Sequence, residues 1–316
     1  MKTLKRLFLF TACISLLTTC SKDNDFFGGG PPDLRYNTEK YCNANHGLDQ
    51  DRYVVMKSTG LRIHYRIIGK GPIDMVFVPG WTNPLEIYQK QFDYFRDKAR
   101  CIYIDVPGQG LSDAPEGIQY TMGLMADAIY DVIRKEGVHK FVGVGFSMGP
   151  VPLGQFEKKH PGMITKLVNI EGNYIPWPHE GTDARDAYLA ELNGFLDWMS
   201  GWGEDEKRFL GSILVPPTAP DDLKEFVEYF YVFPTWLMWN IYYWYNREVV
   251  LQPVGWKIPI ISIYVAPPDP PNEALIFPNS EVHVIEGSGH CVQWEKQELV
   301  NPLIWKFVAD RPGRRY

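Results

Sequence analysis

The sequence predicts an α/β domain built on a mostly parallel sheet with helices on both faces. Three observations carry that expectation. Short Val/Ile-rich runs alternate with helical segments through most of the 316 residues. The runs show little polar alternation, as strands covered on both faces do. One late connection, of about eighty residues, is far longer than a usual link between elements.

The chain opens with Lys2, Lys5 and Arg6, followed by an apolar stretch from Leu7 to Leu17. That stretch is too short for a permanent membrane helix, so residues 1–19 are expected to be a secretory signal. Its end, Leu17-Thr18-Thr19-Cys20, resembles a bacterial lipobox, with Thr19 where a smaller residue usually stands. The resemblance implies cleavage before Cys20, a lipid on Cys20 and attachment to the bacterial envelope at the outer membrane. Ser21 to Asp25 is similar to the acidic tether that some Gram-negative bacteria use for surface export. Residues 20–50 contain a Gly-Pro run and no sustained period, and read as a flexible tether. The folded domain is expected over 51–316.

With 45% hydrophobic residues, 22% charged residues and a net charge of -6, the chain offers no basic footprint for nucleic acid. Removing the signal makes it more acidic still, so membrane attachment would rest on the lipid. Cys42, Cys101 and Cys291 have no CxxC spacing, and the histidines show no paired spacing with carboxylates. Neither a disulfide framework nor a metal is expected.

The expected strands follow in order. YVVMK and LRIHYRII are joined at Ser58-Thr59-Gly60 as a hairpin-like opening. DMVFVPG, CIYIDVPG, KFVGVGFS, KLVNIEG, IPIISIYV and SEVHVIEG are the buried parallel strands. Helices are predicted over 84–98, with Asn83 as N-cap and Pro84 at the first position, over 121–136, and through Glu157 to Pro161. Residues of about 173–255 are helical in pattern and very aromatic, and are expected to form a cap inserted before the penultimate strand.

Within this frame, residues 142–150 read VGVGFSMGP. Ser147 follows a buried strand and precedes a helix, the setting of a G-x-S-x-G nucleophile elbow, where Gly145 and Gly149 leave room for a strained turn. Pro150 and Pro152 predict an irregular start to the next helix. A serine needs a base, a group orienting that base, and donors for the oxyanion. His290, in GSGH after the last strand, supplies the base. Asp269, in APPDPP after the strand before it, is ranked first as the orienting acid. Glu171, at the end of the strand before the cap, is the alternative acid. The backbone N–H groups of Trp81, in VPGW, and of Met148 are the expected oxyanion pair. Asp105 in DVPGQGLS is expected to fix its turn rather than to react.

The order Ser147, Asp269, His290, together with VPGW and DVPGQGLS, resembles the α/β-hydrolase-fold serine hydrolases with a helical cap. The resemblance covers residues 52 to 308 and implies an eight-stranded sheet, no cofactor and an acyl-serine intermediate. A serine at the elbow, where haloalkane dehalogenases and epoxide hydrolases carry aspartate, argues against those two chemistries. The expected function is cleavage of a carboxylic ester of an apolar substrate, with Trp236, Trp239, Tyr242 and Tyr243 of the cap lining the pocket. Alternatives within hydrolases are lactones of the acyl-homoserine lactone kind, or carbon-carbon bonds beside a ketone. From other classes, a ligand-binding receptor with vestigial turnover and a surface interaction protein fit the same fold.

Overall fold

Each of the eight apolar runs forms a strand in the computed structural model, which describes residues 51–172, 183–228, 232–248, 256–268, 277 and 279–310. Residues 1–50, which hold the expected signal, Cys20 and the expected tether, lie outside the described residues. β1 (Asp51–Val55) and β2 (Arg62–Ile68) pair antiparallel, as expected of a hairpin, and Gly60 closes the turn in the left-handed region at φ 76°. β3 (Asp74–Val78), β4 (Arg100–Ile104), β5 (Phe141–Phe146), β6 (Ile164–Ile170), β7 (Ile260–Tyr264) and β8 (Ser280–Val284) complete one sheet. Its order is β1-β2-β4-β3-β5-β6-β7-β8. β2 and β4 are antiparallel, and every later neighbour pair is parallel.

The absence of polar alternation is explained by two apolar clusters, one on each face. Val76, Val78, Ile102 and Ile104 enter one cluster, while the intervening Met75, Phe77, Cys101 and Tyr103 enter the other. A period of two across a doubly covered strand leaves few positions for a polar side chain, and those that occur, such as Asn169 on β6 and Ser262 on β7, are buried and hydrogen-bonded.

The helix predicted over 84–98 is divided. A 3-10 turn spans Leu85–Tyr88, and α1 (Gln89–Arg96) follows. Asn83 does not cap; Pro84 occupies that place in extended conformation. The Leu85 N–H donates to Asp105 Oδ1 at 2.7 Å, and this buried tertiary bond fixes the turn. α2 (Met122–Lys135) is capped by Thr121, whose Oγ1 accepts from the Leu124 N–H. α3 (Pro150–Lys159) continues through Pro152, with an irregular first turn: Val151 N–H donates to Met148 O, and the Leu153 N to Gly149 O distance stretches to 3.5 Å.

Between β6 and β7 the described residues of the cap form α4 (Asp183–Met199), α5 (Glu204–Ile213), α6 (Asp221–Val227) and α7 (Thr235–Glu248). The cap straddles the sheet. Leu237, Met238 and Ile241 of α7 join one face's cluster, while Val215, Leu223 and Phe226 join the other's. The short α8 (Val292–Glu295) and α9 (Gln297–Ala309) close the chain against α1. Among the described residues no helix is long and apolar enough to cross a membrane.

Candidate active site

The turn between β5 and α3 is held in a conformation that most residues avoid. Ser147 has φ 54°, its N–H donates to Ile170 O at 2.8 Å, and the Gly149 N–H donates to Phe146 O at 2.7 Å. A Cβ on Gly145 would stand 2.4 Å from Pro150 N, and one on Gly149 would stand 2.2 Å from Val78 O. Only glycine fits at either place. From Phe141 to Pro150, Ser147 alone is not buried. The strain presents one hydroxyl at the sheet's C-terminal edge.

His290 reaches that hydroxyl. Its Nε2 lies 3.0 Å from Ser147 Oγ, and its Nδ1 lies 3.2 Å from Glu171 Oε2. Both partners are sheltered, with 24% of the His290 side chain and 13% of that of Glu171 exposed. Glu171 ends β6 at φ 50°. Its own N–H donates to Ile263 O at 2.9 Å, and its Oε1 accepts the Val265 N–H at 2.7 Å. Two bonds to the end of β7 thus fix the carboxylate on either side of its backbone.

The sequence ranked Asp269 before Glu171. Among the described residues Glu171 is the carboxylate that meets His290 Nδ1; Asp269 lies outside the described residues. The sheet order accounts for the Glu171 contact: β6 stands directly between β5, which carries the serine, and β7, so the end of β6 is within reach of a histidine bound to Ser147.

The end of β3 supplies a third wall. Val78 pairs with Gly145, and a Cβ on Gly80 would stand 3.0 Å from Ser147 Cβ, so the Gly80-Trp81 backbone passes against the serine. Thr82, buried at φ 59°, donates its hydroxyl to Trp81 O at 2.6 Å. The Trp81 indole N–H donates to Met238 O on α7 at 3.1 Å, and its ring centroid lies 4.9 Å from that of Tyr242. Met148, which follows the serine, is buried. Of the other aromatic residues singled out, Trp236 faces Tyr120 at 6.3 Å, and Trp239 and Tyr243 stack on each other at 5.0 Å.

Two neighbours were not visible in the sequence. Phe146 lies 4.9 Å from the His290 ring, and Leu214 O accepts the His290 N–H at 2.9 Å. A backbone carbonyl leaves no signature in residue type.

Asp105 does organise its turn. Its carboxylate accepts the N–H groups of Leu85 and Leu111 at 2.7 and 2.9 Å, and it meets His64 Nδ1 at 2.6 Å. Burial disfavours a charged His64, but hydrogen bonds to Asp105 and Asp51 outweigh it and hold the imidazole up at about 9. A buried ion cluster therefore supports the loop that follows β4.

The strand order, the elbow after β5 and the cap between β6 and β7 define the α/β-hydrolase fold. The family model described as alpha/beta hydrolase fold matches residues 75–216. Epoxide hydrolase 3 of Mus musculus is 23% identical over 283 residues, covering 82% of this chain and 77% of the relative. A 2-hydroxy-6-oxononadienedioate/2-hydroxy-6-oxononatrienedioate hydrolase of Burkholderia vietnamiensis is 24% identical over 314 residues, covering 86% and 96%. Among solved structures, an esterase from Exiguobacterium antarcticum superposes with a TM-score of 0.71 at 19% identity, over 83% of this chain and 100% of the other. Along most of its folded length the chain is similar to hydrolases of this fold.

Proposed function

We propose that the chain is a serine hydrolase that cleaves a carboxylic ester of an apolar substrate through an acyl-serine intermediate, with Ser147, His290 and Glu171 as its triad. The observation that carries this reading is the continuous contact from Ser147 Oγ through His290 to Glu171, at 3.0 and 3.2 Å. Ser147 Oγ attacks the carbonyl carbon while His290 Nε2 takes its proton, and Glu171 holds the other ring nitrogen as N–H. The N–H groups of Trp81 and Met148 receive the oxyanion. His290 returns the proton to the departing alkoxide. Water, deprotonated by the same imidazole, then releases the acid.

The similarity to an epoxide hydrolase does not extend to this chemistry. A serine that opened an epoxide would become an alkyl ether, which has no carbonyl for water to attack, and the enzyme would stop after one turn. A serine nucleophile therefore favours acyl substrates. The similarity to the Burkholderia relative, whose named substrate is a 6-oxo acid, favours a second reading: attack at a ketone carbonyl with cleavage of the adjacent carbon-carbon bond. Tyr242 packs on the Trp81 ring and on Phe195, and this aromatic cluster, which includes the residue after Gly80, suits an apolar acyl group.

The reading extends to location. The signal ahead of Cys20 supports export and a lipid anchor in the bacterial envelope. The test of function is a fluorophosphonate probe, run beside p-nitrophenyl esters of graded acyl length, lactones and a 6-oxo dienoic acid. Labelling at Ser147, with kcat/KM rising with acyl length, is the expected result. An unlabelled Ser147 overturns the reading.

A further inference from the structure

The cap meets the catalytic residues through two of its own backbone carbonyls. On one side the Trp81 indole N–H donates to Met238 O at 3.1 Å; on the other the His290 N–H donates to Leu214 O at 2.9 Å. The two acceptors differ in kind. Met238 lies inside α7 and offers a second lone pair of a helical carbonyl. Leu214 is the C-cap of α5, so its carbonyl is one of those a helix end leaves without an internal partner, and His290 fills that vacancy.

Packing backs both bonds. The Trp81 ring rests on Tyr242, which lies 5.0 Å from Phe195 of α4, so three parts of the molecule share the contact. At the other bond, a Cβ on Gly289 would stand 2.6 Å from Pro216 Cδ, 2.8 Å from Leu214 O and 3.0 Å from Val215 Cα. No other residue admits the cap so close. From the opposite direction the Gly289 N–H donates to Glu295 Oε1 at 2.9 Å, so the backbone leading to His290 is clamped between α8 and the cap.

Resting on the serine-hydrolase reading, we infer that the cap is a positioning element as well as a cover: the carbonyls of Met238 and Leu214 set the oxyanion donor of Trp81 and the base His290, and the machinery is complete only with the cap docked. Trp81 follows Gly80, the residue type that restrains a neighbouring peptide least, so the orientation of the Trp81 N–H requires outside support. Thr82 Oγ1 supplies part of it through the Trp81 carbonyl, and α7 supplies the rest through the indole. An oxyanion donor works over a few tenths of an ångström, and a misplacement of about 1 Å costs on the order of a hundredfold in rate.

The test compares two kinds of cap contact. Trp81→Phe keeps an aromatic ring and removes the indole N–H. Gly289→Ala pushes the Leu214-Pro216 segment off the histidine. Asn240→Ala is the contrast: Asn240 docks α7 by accepting the Tyr120 N–H and donating to Ile118 O, neither of which is bonded to a catalytic residue. For each variant, kcat and KM with a p-nitrophenyl ester, the rate of fluorophosphonate labelling and Tm are measured on the full chain. Trp81→Phe and Gly289→Ala are each expected to lower kcat and the labelling rate by about ten- to a hundredfold with KM within about twofold. Asn240→Ala is expected to lower Tm and leave kcat within about twofold. Equal loss in all three would show that docking in general, not these two carbonyls, sets the rate, and would overturn the inference. So would an unchanged kcat in Trp81→Phe. Should that variant fail to fold, Gly289→Ala decides alone. A wild-type protein that the probe never labels would instead defeat the serine-hydrolase reading, so the two failures are distinguishable.

Discussion

Replacing Glu171 by glutamine changes one atom and should stop the reaction. Glu171 Oε1 already accepts the Val265 N–H at 2.7 Å, while Oε2 faces His290 Nδ1 at 3.2 Å. A glutamine must keep its carbonyl oxygen toward Val265, because the amide group there would set donor against donor. Its NH₂ then faces Nδ1. The imidazole answers by carrying its proton on Nε2, and Nε2 now donates to Ser147 Oγ instead of accepting from it. The base is lost although every heavy atom stays in place. Holding an imidazole in the wrong tautomer costs about 10⁴ in kcat, which corresponds to about 5 kcal/mol of transition-state stabilisation. The isosteric change retains the Val265 bond, so Tm should move by no more than about 2 °C. The assay is kcat with a p-nitrophenyl ester for Glu171→Gln and Asp269→Asn in parallel, with thermal melts of both. Glu171→Gln should lose about 10⁴ and Asp269→Asn less than tenfold. If Glu171→Gln keeps more than a tenth of the wild-type rate, or Asp269→Asn takes the larger loss, the acid is not Glu171.

Ser147→Ala should lower kcat by about 10⁴ to 10⁶ with a native melting curve, since the hydroxyl serves no packing; residual hydrolysis above a tenth of wild type would move the nucleophile elsewhere. Cys20→Ser should shift the protein from the membrane pellet to the soluble fraction after a salt wash, and a variant that still pellets would remove the lipid anchor. His64, held at about 9 by Asp105 and Asp51 against its burial, binds its proton more tightly folded than unfolded. Its contribution is therefore complete below the ordinary histidine value of about 6.5 and is lost as pH rises through 9. Denaturation midpoints measured from pH 6 to 10 should fall across that window in the wild type and less steeply in His64→Gln; parallel curves would show that another group sets the slope.

Most of the sheet was legible because burial on both faces writes itself as unbroken apolar runs, and all eight runs became strands, although β8 at the sheet edge, expected to be buried, exposes Val282 and Val284. The elbow was legible for a related reason: Gly145 and Gly149 are steric requirements, and steric requirements appear as residue types. The helix predicted over 84–98 broke because a bond between Leu85 and Asp105, twenty residues apart in sequence, outweighed local propensity. The acid could not be ranked from chain order, since both candidates follow strands expected from the sequence. What places Glu171 on the histidine is that β6 lies beside β5, together with a left-handed backbone that no sequence pattern announces. The carbonyls of Met238 and Leu214 were invisible for the plainest reason, that every residue has one.

Among the described residues, the only non-glycine positions with positive φ are Thr82, Ser147 and Glu171, at the ends of β3, β5 and β6. Each such backbone costs of order 1–3 kcal/mol, which is a sizeable share of the stability of a domain. Anyone breeding this protein for heat tolerance would find position 82 inviting, because glycine there removes the penalty carried by a β-branched residue. The hydroxyl that holds the Trp81 carbonyl would leave with it. Selection on melting temperature alone would then yield a tougher, slower catalyst, so heat and turnover should be screened together at these three positions.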